Sequence, residues 1–173
     1  MAYVFSDARI GRAPIASTLA DPGTAAAGRS TPGHLGEIAR AYDPTYGEGE
    51  FIYLKGVVGT LLGMVVTYDQ FLKTTTIAPA TAGKGPVAVA MSANVANQYG
   101  WYQITGSAVV LAPNAMTPGA DVFMLAATPG SVDDAQVNGE QIVNAVVSTT
   151  TGTPGAGFGV IQINRPVLQG QIV

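Results

Sequence analysis

The chain has no cysteine, a single histidine and few charges, and each scarcity excludes something. Without cysteine there can be no disulfide, no thiolate nucleophile and no cysteine-ligated metal. With His34 as the only histidine, a zinc site would have to take nearly every ligand from carboxylates. A serine–histidine–acid arrangement has one imidazole to draw on, and nothing in the sequence places a nucleophile or an orienting acid beside it. Charged residues make up 11% of the 173 positions, about half the share usual in soluble domains. The net charge is −3, and Arg9, Arg12, Arg29, Arg40, Lys55, Lys73, Lys84 and Arg165 are scattered singly. Nucleic-acid binding needs a clustered basic face, so nucleic acid is not an expected partner. Long apolar runs are missing too. The longest, Gly56 to Val66, is broken by glycines and lies between Lys55 and Asp69, short of the roughly 20 residues of a spanning helix. The opening MAYVFSDARIGR mixes acid and base and lacks the apolar segment of a secretory signal. A soluble chain made in a cytoplasm, with no membrane partner, is expected.

What is present divides unevenly. Mean hydropathy is +0.29 despite the lack of a membrane segment, so too few charges remain to cover an isolated monomer comfortably: either the chain is unusually compact, or part of its surface is covered by partners. Residues 1–45 read as an extended amino-terminal arm. Pro14, Pro22, Pro32 and Pro44 interrupt any regular helix there, and acids balance bases, unlike a repulsive tail. Apolar anchors recur along it: Tyr3, Val4, Phe5, Ile10, Ile15, Leu19, Leu35, Ile38, Tyr42 and, just beyond, Tyr46. Spaced anchors on an extended segment suit successive pockets of a partner.

Residues 46–173 read as a β domain. FIYLKG at Phe51 to Gly56 is apolar enough to be buried on both faces. Leu61 to Tyr68 and Val87 to Met91 alternate as strands do. Trp101 to Thr105 and the AVVLA run read as a hairpin turning at Gly106-Ser107. Pro118-Gly119 and Pro129-Gly130 bracket a strand at Asp121 to Ala126, because proline presets one turn torsion and glycine accepts positive φ at the next. Asn138-Gly139 precedes a strand at Ile142 to Ser148, and another follows at Phe158 to Ile163. The expected fold is mainly β: an antiparallel β-barrel or sandwich of about eight short strands. Short helices at Gly36 to Tyr42 and Asn94 to Gln98 are marginal.

Candidate chemistry is sparse. Asp133-Asp134 could hold calcium with loop carbonyls, but SVDDAQVNGE lacks the alternate spacing of dedicated calcium loops and reads as a solvated turn. Glu48 and Glu50, at strand spacing, could act as an acid and base pair. GAGFG at Gly155 to Gly159 opens a β-like run rather than a helix, and Gly83-Lys84-Gly85 lacks the rest of a phosphate loop. Trp101, between Tyr99 and Tyr102, could stack on sugars or bases, or belong to the core or a subunit contact. No catalytic, metal or cofactor-binding residue is expected.

YDPTYGEGEFIYLKG at Tyr42 to Gly56, GPVAVAMSANVANQYGWYQITG at Gly85 to Gly106 and NRPVL at Asn164 to Leu168 resemble the head decoration, or cement, proteins of tailed bacteriophages. The likeness is one of local phrasing across most of the β region. It implies a non-enzymatic virion protein on the capsid surface, assembled in a host cytoplasm. Its partners would be the major capsid protein and its own copies, as a trimer rather than a dimer. The partner-binding set expected on this reading is Tyr3, Phe5, Ile10, Ile15, Leu35, Ile38, Tyr42, Tyr46 and Trp101. The alternative is a carbohydrate- or receptor-binding β module of a virion, using Tyr99, Trp101 and Tyr102.

Overall fold

The computed structural model describes residues 1–6, 12–16, 19–20, 34–81, 83–94 and 98–170. These form twelve strands and no helix: β1 (Val4–Phe5), β2 (Leu19–Ala20), β3 (Ile38–Asp43), β4 (Gly47–Lys55), β5 (Val65–Asp69), β6 (Thr74–Ile77), β7 (Lys84–Ala90), β8 (Gln98–Leu111), β9 (Asp121–Met124), β10 (Val132–Asp133), β11 (Gln141–Val147) and β12 (Phe158–Gln169). The mainly β expectation holds. All belong to one sheet, and every pairing is antiparallel except the single contact of β4 with β6 at Lys55 and Thr74.

The pairings return on themselves. β4 pairs with β8, β8 with β7, β7 with β5, β5 with β6, and β6 with β4. Side chains alternate across each strand, so one set points into the space this ring encloses. That set is Ile52 and Leu54 from β4, Val66 from β5, Ala88 and Ala90 from β7, and Tyr102 and Ile104 from β8. The opposite faces are buried as well. Phe51 and Tyr53 leave β4 on the other side, as the unbroken FIYL run anticipates. Val87 and Val89 leave β7 toward a second, larger core shared with Val110, Val122, Ile142, Ile161 and Ile163.

Turn chemistry fixes the connections where the sequence anticipates it. Gly119, Gly130 and Gly139, each the glycine of a Pro-Gly or Asn-Gly pair, have φ of 86°, 78° and 82°.

Three expectations fail, and the marginal helix at Asn94 to Gln98 lies mostly outside the described residues, with Gln98 opening β8. The turn at Gly106-Ser107 does not exist: β8 runs unbroken through it for 14 residues. Its first half pairs with β4 as far as Glu50 and Thr105, and its second half with β12 from Asn164 and Thr105 onward. Gly106 is needed because a Cβ there would lie 2.4 Å from the Glu48 carbonyl oxygen, at a φ of 93°. The glycine serves close approach, with no reversal of the chain. The marginal helix at Gly36 to Tyr42 is mostly strand β3, hydrogen-bonded along its length to β4. The strand expected from Leu61 begins only at Val65, because the chain turns at Gly63, whose φ is 80°.

The expected arm boundary at residue 45 falls in the tight turn joining β3 to β4. The Asp43 carboxylate accepts the Thr45 and Tyr46 N–H groups there, at 2.8 and 3.2 Å, and Gly47 follows at positive φ. Residues 38–43 therefore belong to the sheet, and β1 adds to their outer side, pairing Val4 with Tyr42 and Phe5 with Ala41.

Candidate interaction surface

β3 alternates strictly between exposed and buried positions. Ala39 and Ala41 face inward, and their small side chains leave room over the outer face of β4 and β8. Aromatic side chains from the amino-terminal residues fill that room. Tyr3 meets Phe51 edge to face at 4.8 Å, and Phe5 meets Trp101 at 5.2 Å. Tyr53 completes the cluster, 5.1 Å from Trp101 and 6.4 Å from Tyr99. Such pairs add about 0.5–1.5 kcal/mol each beyond the area they bury.

Polar contacts pin the same residues. The Trp101 indole N–H donates to the Ala13 carbonyl at 2.9 Å. Arg12 lies 4.6 Å above the Phe5 ring and donates to Glu37 at 2.6 Å, with its side chain almost wholly buried. Tyr3 donates its hydroxyl to the Ser107 carbonyl at 3.0 Å; burial, only partly offset by the bond from Gln103, pushes its pKa up to about 12. Burial would by itself raise Asp43. The N–H bonds from Ala2, Thr45 and Tyr46, with the charge of the amino terminus, outweigh it and hold the carboxyl below its ordinary value.

Beside this cluster lies an open cavity of about 520 Å³ with a largely apolar wall, including Tyr3, Phe5, Ile15, Leu62, Met91 and Ser92. Its volume is in the range of ligand- and anchor-binding pockets.

Most of the expected partner-binding residues face into the molecule. Ile15 and Trp101 are buried, and Tyr3, Phe5 and Leu35 pack half-buried against the same cluster. Tyr46 is half-buried, while Ile38 and Tyr42 are exposed. Ile10 lies outside the described residues. Ile38, Arg40 and Tyr42 share the outward face of β3, and Val4, also exposed, is the cross-strand partner of Tyr42. This makes an outward apolar edge that the spacing of anchors alone did not separate from the inward set.

The other candidates disperse. Tyr99, Trp101 and Tyr102 are 5%, 1% and 0% exposed, so none offers a stacking face to a sugar. Glu48 is exposed, and the two carboxylate oxygens of Glu50 are held by Arg40 at 3.3 Å and Arg165 at 2.9 Å, the linkage of a structural tie between β3, β4 and β12. His34 is exposed. No group of three or more acidic, histidine or cysteine residues able to hold a metal occurs among the described residues. The solvated turn expected at Asp133-Asp134 is half right. Asp134 takes the Thr117 N–H at 2.8 Å near the surface, whereas Asp133 is 5% exposed and receives Ala135 and Asn114. Asp133 also faces a residue that the sequence did not single out, Glu140, which is 2% exposed with its Oε2 lacking a partner. Burial, and then the Asp133 charge, raise the Glu140 carboxyl above its ordinary value.

No helix among the described residues is long and apolar enough to cross a membrane. No known protein-family model matches the chain, and comparison with curated proteins gives no match.

Proposed function

We propose that this chain is a non-enzymatic structural protein of a bacteriophage virion that binds across major capsid protein subunits, self-associates, and so stabilises the shell. On this reading the ring β4-β6-β5-β7-β8 is a small barrel, extended on one side by β9 to β12 into a second layer. The observation that carries the reading is the division of the amino-terminal anchors into an inward set that fixes the segment and an outward set, Val4, Ile38 and Tyr42, that stays free. The resemblance at Tyr42 to Gly56 begins on that same edge. In a chain with 11% charged residues, an exposed apolar edge is what a permanent partner would cover. Burial of the edge contributes about 25 cal/mol per Å² of apolar area, and the segment is already ordered on its own sheet, which lowers the entropic cost of docking.

Deleting residues 1–44 would strip β1, β2 and β3 and uncover Phe51, Tyr53 and Trp101, so the test uses surface changes. The double variant Ile38→Thr, Tyr42→Lys keeps strand-compatible side chains and sets the lysine opposite Glu48, so it is expected to fold normally and to lose most of its co-sedimentation with capsids. Capsid occupancy and heat resistance equal to those given by the unmodified protein would reject the proposal.

A further inference from the structure

We propose that the Phe71-Leu72 turn of one copy seats in the apolar cavity beside Tyr3, Phe5, Ile15, Leu62 and Met91 of a second copy, joining chains head to tail. This rests on the self-association part of the reading above and does not depend on capsid binding.

The knob is built to protrude. The turn between β5 and β6 is closed by Asp69, whose carboxylate accepts the N–H groups of both Phe71 and Leu72 at 2.8 Å, while its carbonyl accepts the Lys73 N–H at 2.7 Å. Lys73 completes the reversal in the left-handed region, with φ of 57°. Those bonds turn two large apolar side chains outward. Phe71 is 90% exposed, the most exposed large apolar side chain among the described residues, and Leu72 is 64% exposed. A turn already fixed in this way loses little freedom on docking.

The hole matches it in chemistry and scale: an open cavity of about 520 Å³, walled by aromatic, aliphatic and thioether groups. The two features do not meet within one molecule: Phe71 and Leu72 are exposed and neither is part of the cavity wall. An unlike knob and hole on one chain make a heterologous contact, which propagates until a ring closes or a filament grows.

The area limits its strength. An aromatic side chain offers about 150–250 Å², so the two side chains and the walls they cover amount to roughly 600–800 Å² in total, short of the ~1,200 Å² at which stable interfaces begin. One contact is therefore weak and depends on concentration. A closed ring gives every chain two contacts, and alignment on a shared surface raises the effective concentration further.

Sedimentation velocity of the full chain without capsids, from tens of micromolar to about a millimolar, tests the proposal. The average mass of the unmodified protein is expected to rise with concentration. Phe71→Asp removes the knob and Leu62→Asp spoils the rim of the hole; both positions are exposed, so thermal midpoints should match the parent. Each variant alone should stay monomeric. Their equimolar mixture should recover association but stop at two chains, because one variant keeps only its hole and the other only its knob. A parent that stays monomeric throughout, variants that associate like it, or a mixture that remains monomeric would each overturn the proposal. So would native mass spectra showing a small apolar molecule held in the cavity of a monomer. Failure here leaves capsid binding by the Ile38 and Tyr42 edge standing, and loss of that binding leaves this contact standing.

Discussion

At the scale of single residues, the chain sets two carboxylates against each other where the sequence shows only a loop. Glu140 and Asp133 are both buried, but Asp133 has N–H donors and the Glu140 Oε2 has none. The raised Glu140 carboxyl makes its charge a cost to the fold. The cost is absent below the ordinary value of 4.5, grows as pH rises through the folded value, and is complete above it. Glu140→Gln should therefore stabilise the protein near neutral pH, with the gain vanishing in acid. Urea midpoints of the two proteins at pH 7.5 and pH 4 check this; a gain independent of pH would show that charge is not the cause. None of this was legible beforehand. Burial of Asp133 depends on where β9 and β10 fold, and an SVDDAQVNGE sequence reads equally well as a surface turn.

At the scale of elements, legibility followed how local the cause was. Pro118-Gly119, Pro129-Gly130 and Asn138-Gly139 reverse the chain with nothing needed from elsewhere, and those turns were read correctly. Gly106 answers to a backbone 58 positions upstream, so a residue that keeps β8 continuous looked like one that ends it. The extent of β3 was hidden by its proline-rich surroundings, although the DPTYG sequence after it carries an Asp-capped turn of the kind that joins hairpin strands. The Gly106 explanation predicts a contrast between two glycines. Gly85, at φ of 101°, has open space where a Cβ would stand, whereas Gly106 would meet the Glu48 carbonyl. Gly85→Ala should cost about 1 kcal/mol from strain alone, and Gly106→Ala about 3 kcal/mol or more. Chemical denaturation of both variants measures the difference. Equal losses would mean that close approach to Glu48 is not what selects glycine.

At the scale of the whole molecule, three apolar clusters lie in succession: the large core, the ring interior, and the aromatic layer closed by the amino-terminal residues. The β1 cover of the last layer is held by two strand pairs with β3 and by an acid-sensitive contact between Ala2 and Asp43. Asp43 contributes stability that is present above its ordinary value of 3.8 and is lost as pH falls through the lower, folded value. Below about pH 4, residues 1–6 should loosen before the rest unfolds. Faster amide exchange at Val4 and Phe5, together with a red shift of Trp101 emission as the Phe5 cover lifts, would report it. Simultaneous loss of all protection would instead make the layer part of one cooperative unit. Losing the cover is expensive: exposing even a third of the area of Phe51, Tyr53 and Trp101 costs about 5 kcal/mol at 25 cal/mol per Å². Truncation is therefore a poor probe of function in this chain.

β8 gives the molecule a mechanical property of its own. Because its 14 residues pair first with β4 and then with β12, no break in the strand separates the ring of pairings from the β12 side of the sheet. Tension entering through β3 and β4 reaches β12 along the peptide bonds of a single strand, with hydrogen-bonded ladders loaded in shear on either side. The two halves of the sheet share one beam.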